Sequence, residues 1–186
     1  TFDTTDVYNW DYCMEQRAKE QWDISNSGAA NPYANMARMN IVTYNLRNTF
    51  APYFLTDNEG FNFSEFFRVD DAQMCFVHEA DVRKFVNLLA TAPLYPFADE
   101  AMGQSLCHTL WYVPGVNAAH CLAQILAEPT ADNPFRNYKV VNVAGDSVSS
   151  QTSPLEEVRT AISTNERTIT LSCGRLTTGV SVPEWT

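Results

Sequence analysis

The chain has 186 residues, of which 45% are hydrophobic and 12% aromatic, enough to bury a core in one domain or in one domain with an appendage. Its 22 acidic against 12 basic residues give a formal charge of −10, which argues against a free-standing basic nucleic-acid binder and restricts any nucleic-acid contact to a local one. The five cysteines (Cys13, Cys75, Cys107, Cys121 and Cys173) are odd in number and include no CxxC pair, so they predict free thiols rather than a disulfide framework or a zinc site. With no signal peptide and no apolar run of transmembrane length, the expectation is a cytoplasmic protein without a membrane partner.

Residues 1–68 are rich in aromatic and polar side chains and lack a repeating βα rhythm. Within them, "VYNWDYCMEQRAKEQWD" predicts a helix carrying Tyr12 and Trp22 among its apolar positions, and "SNSGAANPY" predicts a connection. Met39 to Leu46 predicts a short strand, and Phe63 to Phe67 a short helix begun by Asn62 or Ser64. This region reads as a linker or accessory segment, with a regular domain over 69–186.

From residue 78 the rhythm becomes regular. "HEADVRKFVNLLATA" places Val82, Phe85, Val86 and Leu89 on one helical face, and "YPFADEAMGQ" reads as a loop. "SLCHTLWYV" predicts a buried strand ended by Pro114-Gly115, and "NAAHCLAQILAEP" a helix capped by Asn117 and stopped before Pro129. "YKVVNVAG" is the next strand. "SPLEEVRTAIS" is the next helix, with Ser153 as N-cap, Pro154 at the first helical position, and Glu156 and Glu157 near the positive end of the dipole. "RTITLSC" closes the series as a third strand. Strand, helix, strand, helix, strand in units of this length predicts an α/β fold with a parallel sheet, whose ligands bind beyond the carboxyl ends of the strands. Those ends are Pro114-Gly115, Gly145-Asp146 and Gly174 to Ser181.

The familiar catalytic patterns are absent or incomplete. None of the three lysines, Lys19, Lys84 and Lys139, follows a glycine, so the chain has no phosphate-binding loop of its own. His78-Glu79-Ala80-Asp81 resembles a scrambled acidic metal box, but the helical face behind it makes it a helix start with acidic residues in the first turn, and HExxH is broken by Val82. Gly145-Asp146-Ser147 after a strand suggests a nucleophile turn, yet the last histidine, His120, lies well upstream; a small hydrolase using Ser147 is the weakest reading. His108 and His120 read as structural histidines. The final stretch is more promising, because its strand delivers backbone N–H groups and the hydroxyls of Thr177 and Thr178 to the sheet edge, where they can bind phosphate oxygens. Gly179 permits close approach of a ligand, and Pro183 fixes the exit.

"TITLSCGRLTTGVSVPEW" resembles motif V of superfamily 2 helicases and translocases, "HTLWYVPGVNAAHCLAQIL" resembles their motif IV strand and helix, and "YKVVNVAGD" the strand between. The likeness is to the DEAD/DEAH, type III restriction-subunit-like group of restriction endonucleases. It implies a three-layer RecA-like sheet with flanking helices over 69–186, an incomplete second RecA-like domain, preceded by a helical and irregular linker over 1–68. It implies an ATP-dependent DNA helicase or translocase linked to restriction-modification, inactive as this piece alone, with ATP and Mg2+ bound only in the intact protein. Its partners would be DNA, the first RecA-like domain of the same chain, and a methyltransferase or nuclease module. Carried over by position, Gly179 and Ser181 face the nucleotide cleft, while Cys173, Gly174, Thr177, Thr178, Pro114 and Gly115 face the nucleic-acid backbone. No catalytic residue and no metal ligand are implied within this piece. Ser181 stands where the family pattern carries aspartate, so a hydroxyl replaces a carboxylate there. The alternative is a non-catalytic Rossmann-like regulatory or protein-interaction domain.

Overall fold

A central, fully buried strand organises the regular part of the molecule. In the computed structural model, which describes residues 11–25, 28–34, 41, 43–54, 60–93, 95–145 and 152–185, the chain divides into two units, 1–43 and 44–186. The division falls between Thr43 and Tyr44, whereas the composition shift lies near residue 68.

The first unit contains helix α1 (Tyr12–Ser25). Asp11 starts it by accepting a 2.8 Å hydrogen bond from the Met14 amide at Oδ1, the usual remedy for an orphan N–H in a first turn. The segment after the helix folds back, so that Asn31 Nδ2 donates to the Lys19 carbonyl at 3.0 Å and Tyr33 meets Trp22 edge-on. Met39, Asn40 and Val42 lie outside the described residues, and Tyr44 to Leu46 carry no strand.

In the second unit, helices α2 (Arg47–Phe50) and α3 (Phe63–Phe66) are joined by a 3-10 turn at Ala51–Tyr53 and an undescribed segment. Asn62 caps α3 by accepting from the Glu65 amide at 3.0 Å. Phe50, Tyr53 and Phe66 meet in edge-to-face contacts and share one core with strand and helix residues beyond 69. A short antiparallel hairpin, β1 (Val69–Asp70) with β2 (Cys75–Phe76), leads into helix α4 (Glu79–Thr91), which buries Val82 and Val86. The stretch read as a loop at "YPFADEAMGQ" contains a further helix, α5 (Glu100–Ser105), because Asp99 accepts from the Met102 amide and starts a turn that its glycine does not prevent.

Strand β3 (His108–Tyr112), helix α6 (Val116–Leu126), strand β4 (Lys139–Asn142), helix α7 (Pro154–Thr164) and strand β5 (Thr168–Ser172) complete the unit. The sheet is parallel throughout in the order β3-β5-β4, with His108 and Lys139 both in register with Thr168. Chain-last β5 is therefore central, and all five of its residues are buried. Its Ile169 and Leu171 face a core with Leu122 and Leu126 of α6, while Val141 and Val143 on the opposite face pack against Val158 and Ala161 of α7. Helices on both faces of a parallel sheet give three layers.

The helix ends explain the boundaries. Ser153 and Glu156 form a reciprocal capping box with Pro154 at the first position, as the sequence predicts. Helix α6 departs from expectation: it starts at Val116, its N-cap is Gly115, and Asn117 instead donates Nδ2 to Asp71 Oδ1 at 2.8 Å. Its carboxyl end is closed by buried Asn133, whose Nδ2 donates to the carbonyls of Leu126 and Glu128, both at 2.8 Å. That amide satisfies carbonyls that the helix itself leaves without partners.

Candidate functional site

Parallel pairing puts the carboxyl ends of β3, β4 and β5 on one edge of the sheet. Val113 N–H donates to the Ser172 carbonyl at 2.8 Å and Val143 N–H to the Leu171 carbonyl at 3.0 Å, so all three chains run off this edge together. Two of the exits touch. Gly145 sits at φ 80°, and a Cβ there would come within 2.7 Å of Val116 Cγ1, so only glycine lets the β4 exit pass the start of α6. Asp146 and Ser147 lie outside the described residues.

The exit of β5 is a hydrogen-bonded turn. Ser172 is fully buried; its Oγ donates to the Arg175 carbonyl and accepts from the Gly174 amide at 3.1 Å. Thr177 Oγ1 donates to the Gly174 carbonyl at 2.7 Å. Gly174 and Leu176 both have positive φ, and Leu176 turns in to pack on the Val141, Val143 and Val158 cluster. One side chain inside the sheet and one inside the loop thus fix the course from Cys173 to Thr178. The same bond commits the Thr177 hydroxyl proton, leaving that oxygen as an acceptor.

Gly179, at φ 74°, and the exposed Thr178 and Ser181 follow, before Val182 re-enters the core and Trp185 bridges to His108 at the other end of β3. A Cβ at Gly174 or Gly179 would meet no atom within 4 Å, so at these positions glycine answers a backbone requirement and leaves open space above.

Pro114 and Gly115 line an open cavity of about 340 Å³ at the start of α6, with Phe67, Val69, Asp71 and Asn117 around it. No side chain caps α6, so the amides of its first turn face this space. Asp71 brings a carboxylate to the same place, which complements the helix dipole and opposes a phosphate. Pro114 and Gly115 are thereby brought to the same edge as Gly174, in surroundings less favourable to an anion than the sequence implied.

The other suspected chemistry resolves into structural pairs. His78 immediately precedes α4 and donates Nε2 to Glu65 Oε1 at 2.8 Å; Glu79 accepts from Arg83 Nε at 2.7 Å; Asp81 accepts from the Tyr53 hydroxyl at 2.5 Å. The three side chains therefore diverge, and among the described residues no group of three or more His, Cys, Asp and Glu could hold a metal ion. Burial, with the bond to Asp81 second, pushes the Tyr53 phenol up to about 12. The hydrogen bond from His78, followed by Arg68, holds the Glu65 carboxyl below the usual range. Burial raises the Cys121 thiol, which makes it a poor nucleophile. His108 Nδ1 lies 3.1 Å from Thr168 Oγ1, a structural contact as expected, whereas His120 sits exposed on α6 beside Gln124.

Ser172 was not singled out by sequence reasoning. The signal was present as Thr168, Thr170 and Ser172, three hydroxyls at alternate positions on one face of a strand that is otherwise Ile169 and Leu171. A polar stripe in a fully buried strand asks what it binds.

Among the described residues no helix is long and apolar enough to cross a membrane. Comparison with family models, with curated proteins and with solved structures gave no match.

Proposed function

We propose that residues 69–186 are an incomplete second RecA-like domain of a superfamily 2 helicase or translocase, from an ATP-dependent DNA motor associated with restriction-modification. In this reading Gly179 and Ser181 line the nucleotide cleft. Cys173, Gly174, Thr177, Thr178, Pro114 and Gly115 face the nucleic-acid backbone, with Thr177 acting through its oxygen as an acceptor toward a sugar hydroxyl or water.

The observation that carries the reading is the placement of "TITLSCGRLTTGVSVPEW": its strand is the centre of a parallel sheet, and its loop is a prearranged turn on the carboxyl edge with open space over two glycines. Ligands of open α/β sheets bind at such edges, and a turn fixed before binding loses little entropy when it contacts one. The chain supplies amides, hydroxyls and shape. Its sequence carries no phosphate-loop lysine and, among the described residues, no group of three or more His, Cys, Asp and Glu could hold a metal ion, so in this reading the charge that holds Mg2+ and the γ-phosphate belongs to the first RecA-like domain. Opening and closing of the cleft between the two domains would move the backbone-facing loops along a strand.

Amide exchange on the full-length protein tests this directly. Single-stranded DNA together with a non-hydrolysable ATP analogue is expected to slow exchange across 173–181 and at 115–118, and unchanged exchange at 173–181 would remove this loop from the account. Asp71 at the α6 N-terminus and the charge of −10 favour the second reading, a non-catalytic Rossmann-like interaction domain. On that reading the full-length protein shows no DNA-dependent ATP hydrolysis.

A further inference from the structure

At the amino end of the sheet, opposite the edge described above, a cavity of about 530 Å³ opens between the approaches to β4 and β5. Its walls include Ala90 of α4, Phe97, Asn137, Tyr138 and Arg167. Phe97 stands edge-on to Tyr138 and to fully buried Phe135, so the apolar wall is held by the core.

Arg167 is the unusual group. Its guanidinium carbon lies 5.4 Å from the centre of the Tyr138 ring, and Nη1 donates to the Tyr138 hydroxyl at 2.7 Å, which in turn donates to the Leu106 carbonyl at 3.3 Å. The fork is thus fixed by a neutral partner that is itself anchored. Arg83 shows the contrast, since its Nε, Nη1 and Nη2 are all taken by Glu79 and Glu128. Among the described residues Arg167 has no carboxylate within ion-pair distance, although the chain carries 22 acidic residues. Neighbouring Glu166 lines the same cavity and acts on Arg167 through its charge, but forms no ion pair with it. A half-buried, prearranged guanidinium with unused donors, beside an aromatic wall and above a space of small-molecule size, matches a flat oxyanion.

We propose that this cavity binds a small aromatic carboxylate or aryl phosphate, with Arg167 taking the oxyanion through its free N–H groups and Phe97 and Tyr138 bordering the ring. Asn137 lies on the wall as a further polar contact. The site is independent of the motor reading, because it shares no residue with the carboxyl edge.

The test is ligand-observed NMR and calorimetry on the full-length protein with benzoate and phenyl phosphate, and with benzylamine as the cationic control. Both anions are expected to bind and benzylamine to fail. Arg167→Gln should weaken the anions by tenfold or more, with circular dichroism confirming the fold. Ala90→Phe, which leaves Arg167 in place and fills the cavity, should abolish binding, and Tyr138→Phe, which removes the hydroxyl that fixes the guanidinium, should weaken it. The proposal is overturned if neither anion binds folded wild-type protein, if benzylamine binds equally, or if Arg167→Gln binds as wild type does.

Discussion

Replacing Ser172 with alanine removes a single oxygen, yet two backbone groups depend on it. The Gly174 amide and the Arg175 carbonyl lose their partner at a position with no solvent exposure of the side chain. Gly174 is exposed and Arg175 half-buried, so the net worth of such a bond, about 0.5–1.5 kcal/mol, applies, and 1.4 kcal/mol is about tenfold in an equilibrium constant. The Gly174 amide is therefore expected to exchange about two to ten times faster in Ser172→Ala, while the Leu171 amide, held in the sheet, changes only by the loss in global stability. Urea unfolding gives that global term separately. On the proposed motor reading, the loosened loop is expected to lower DNA-stimulated ATP hydrolysis by the full-length protein and to leave its affinity for ATP unchanged. If Gly174 exchange and the urea midpoint both match wild type, the hydroxyl does not hold the loop, and the reasoning from its hydrogen bonds is wrong.

Asn133→Ala strips the carboxyl end of α6 of a buried amide bonded to Leu126 and Glu128, and a loss of about 1–3 kcal/mol in urea unfolding is expected. Tyr53, raised from 10.0 to about 12, contributes stability that is fully present below pH 10 and is lost as pH rises from there towards about 12. Tyr53→Phe should flatten that alkaline slope, whose full size is on the order of 2 kcal/mol, in urea midpoints taken between pH 9 and 12. The Arg83 guanidinium lowers the Glu128 carboxyl, so this pair stabilises above the ordinary carboxylate value of 4.5 and the gain is lost as pH falls through the lowered one. Both partners are more than a third exposed, so Arg83→Met is expected to cost only about 1 kcal/mol at neutral pH and to weaken the acid slope.

Much of the sheet could be read from the sequence because each signal there was local. "YKVVN" and "RTITLS" are apolar runs of strand length, and Ser153, Pro154 and Glu156 spell a helix start by their own chemistry. Strand order was not legible: β5 lies between β3 and β4 only because tertiary packing buries both of its faces, and nothing within "TITLS" names its neighbours. The α6 N-cap was misassigned for a similar reason. Asn117 is a good capping residue, but Asp71 from the hairpin turn takes its amide, leaving Gly115 at the cap. Residues 44–67 looked like a linker by composition, yet the Phe50, Tyr53 and Phe66 cluster belongs to the main core, a contact that periodicity cannot report. At the candidate site, the strand-to-loop position alone singles out Gly174, Thr178 and Gly179 as candidates. The Thr177 bond to Gly174 and the role of Ser172 are not legible in the sequence, since both depend on how the turn closes on itself.

The central claim is that the loop after β5 works against nucleotide and DNA in an ATP-driven motor. Gly179 has φ 74° with open space around it, so Gly179→Val strains the backbone by about 1–3 kcal/mol and places a branched side chain where a ligand would approach, without clashing with the rest of the unit. DNA-stimulated ATP hydrolysis by the full-length protein is expected to be present in wild type and to fall at least tenfold in Gly179→Val, with the urea midpoint lowered by no more than that strain and the protein still folded under assay conditions. Hydrolysis that is absent from wild type, or undiminished in the variant, would contradict the account.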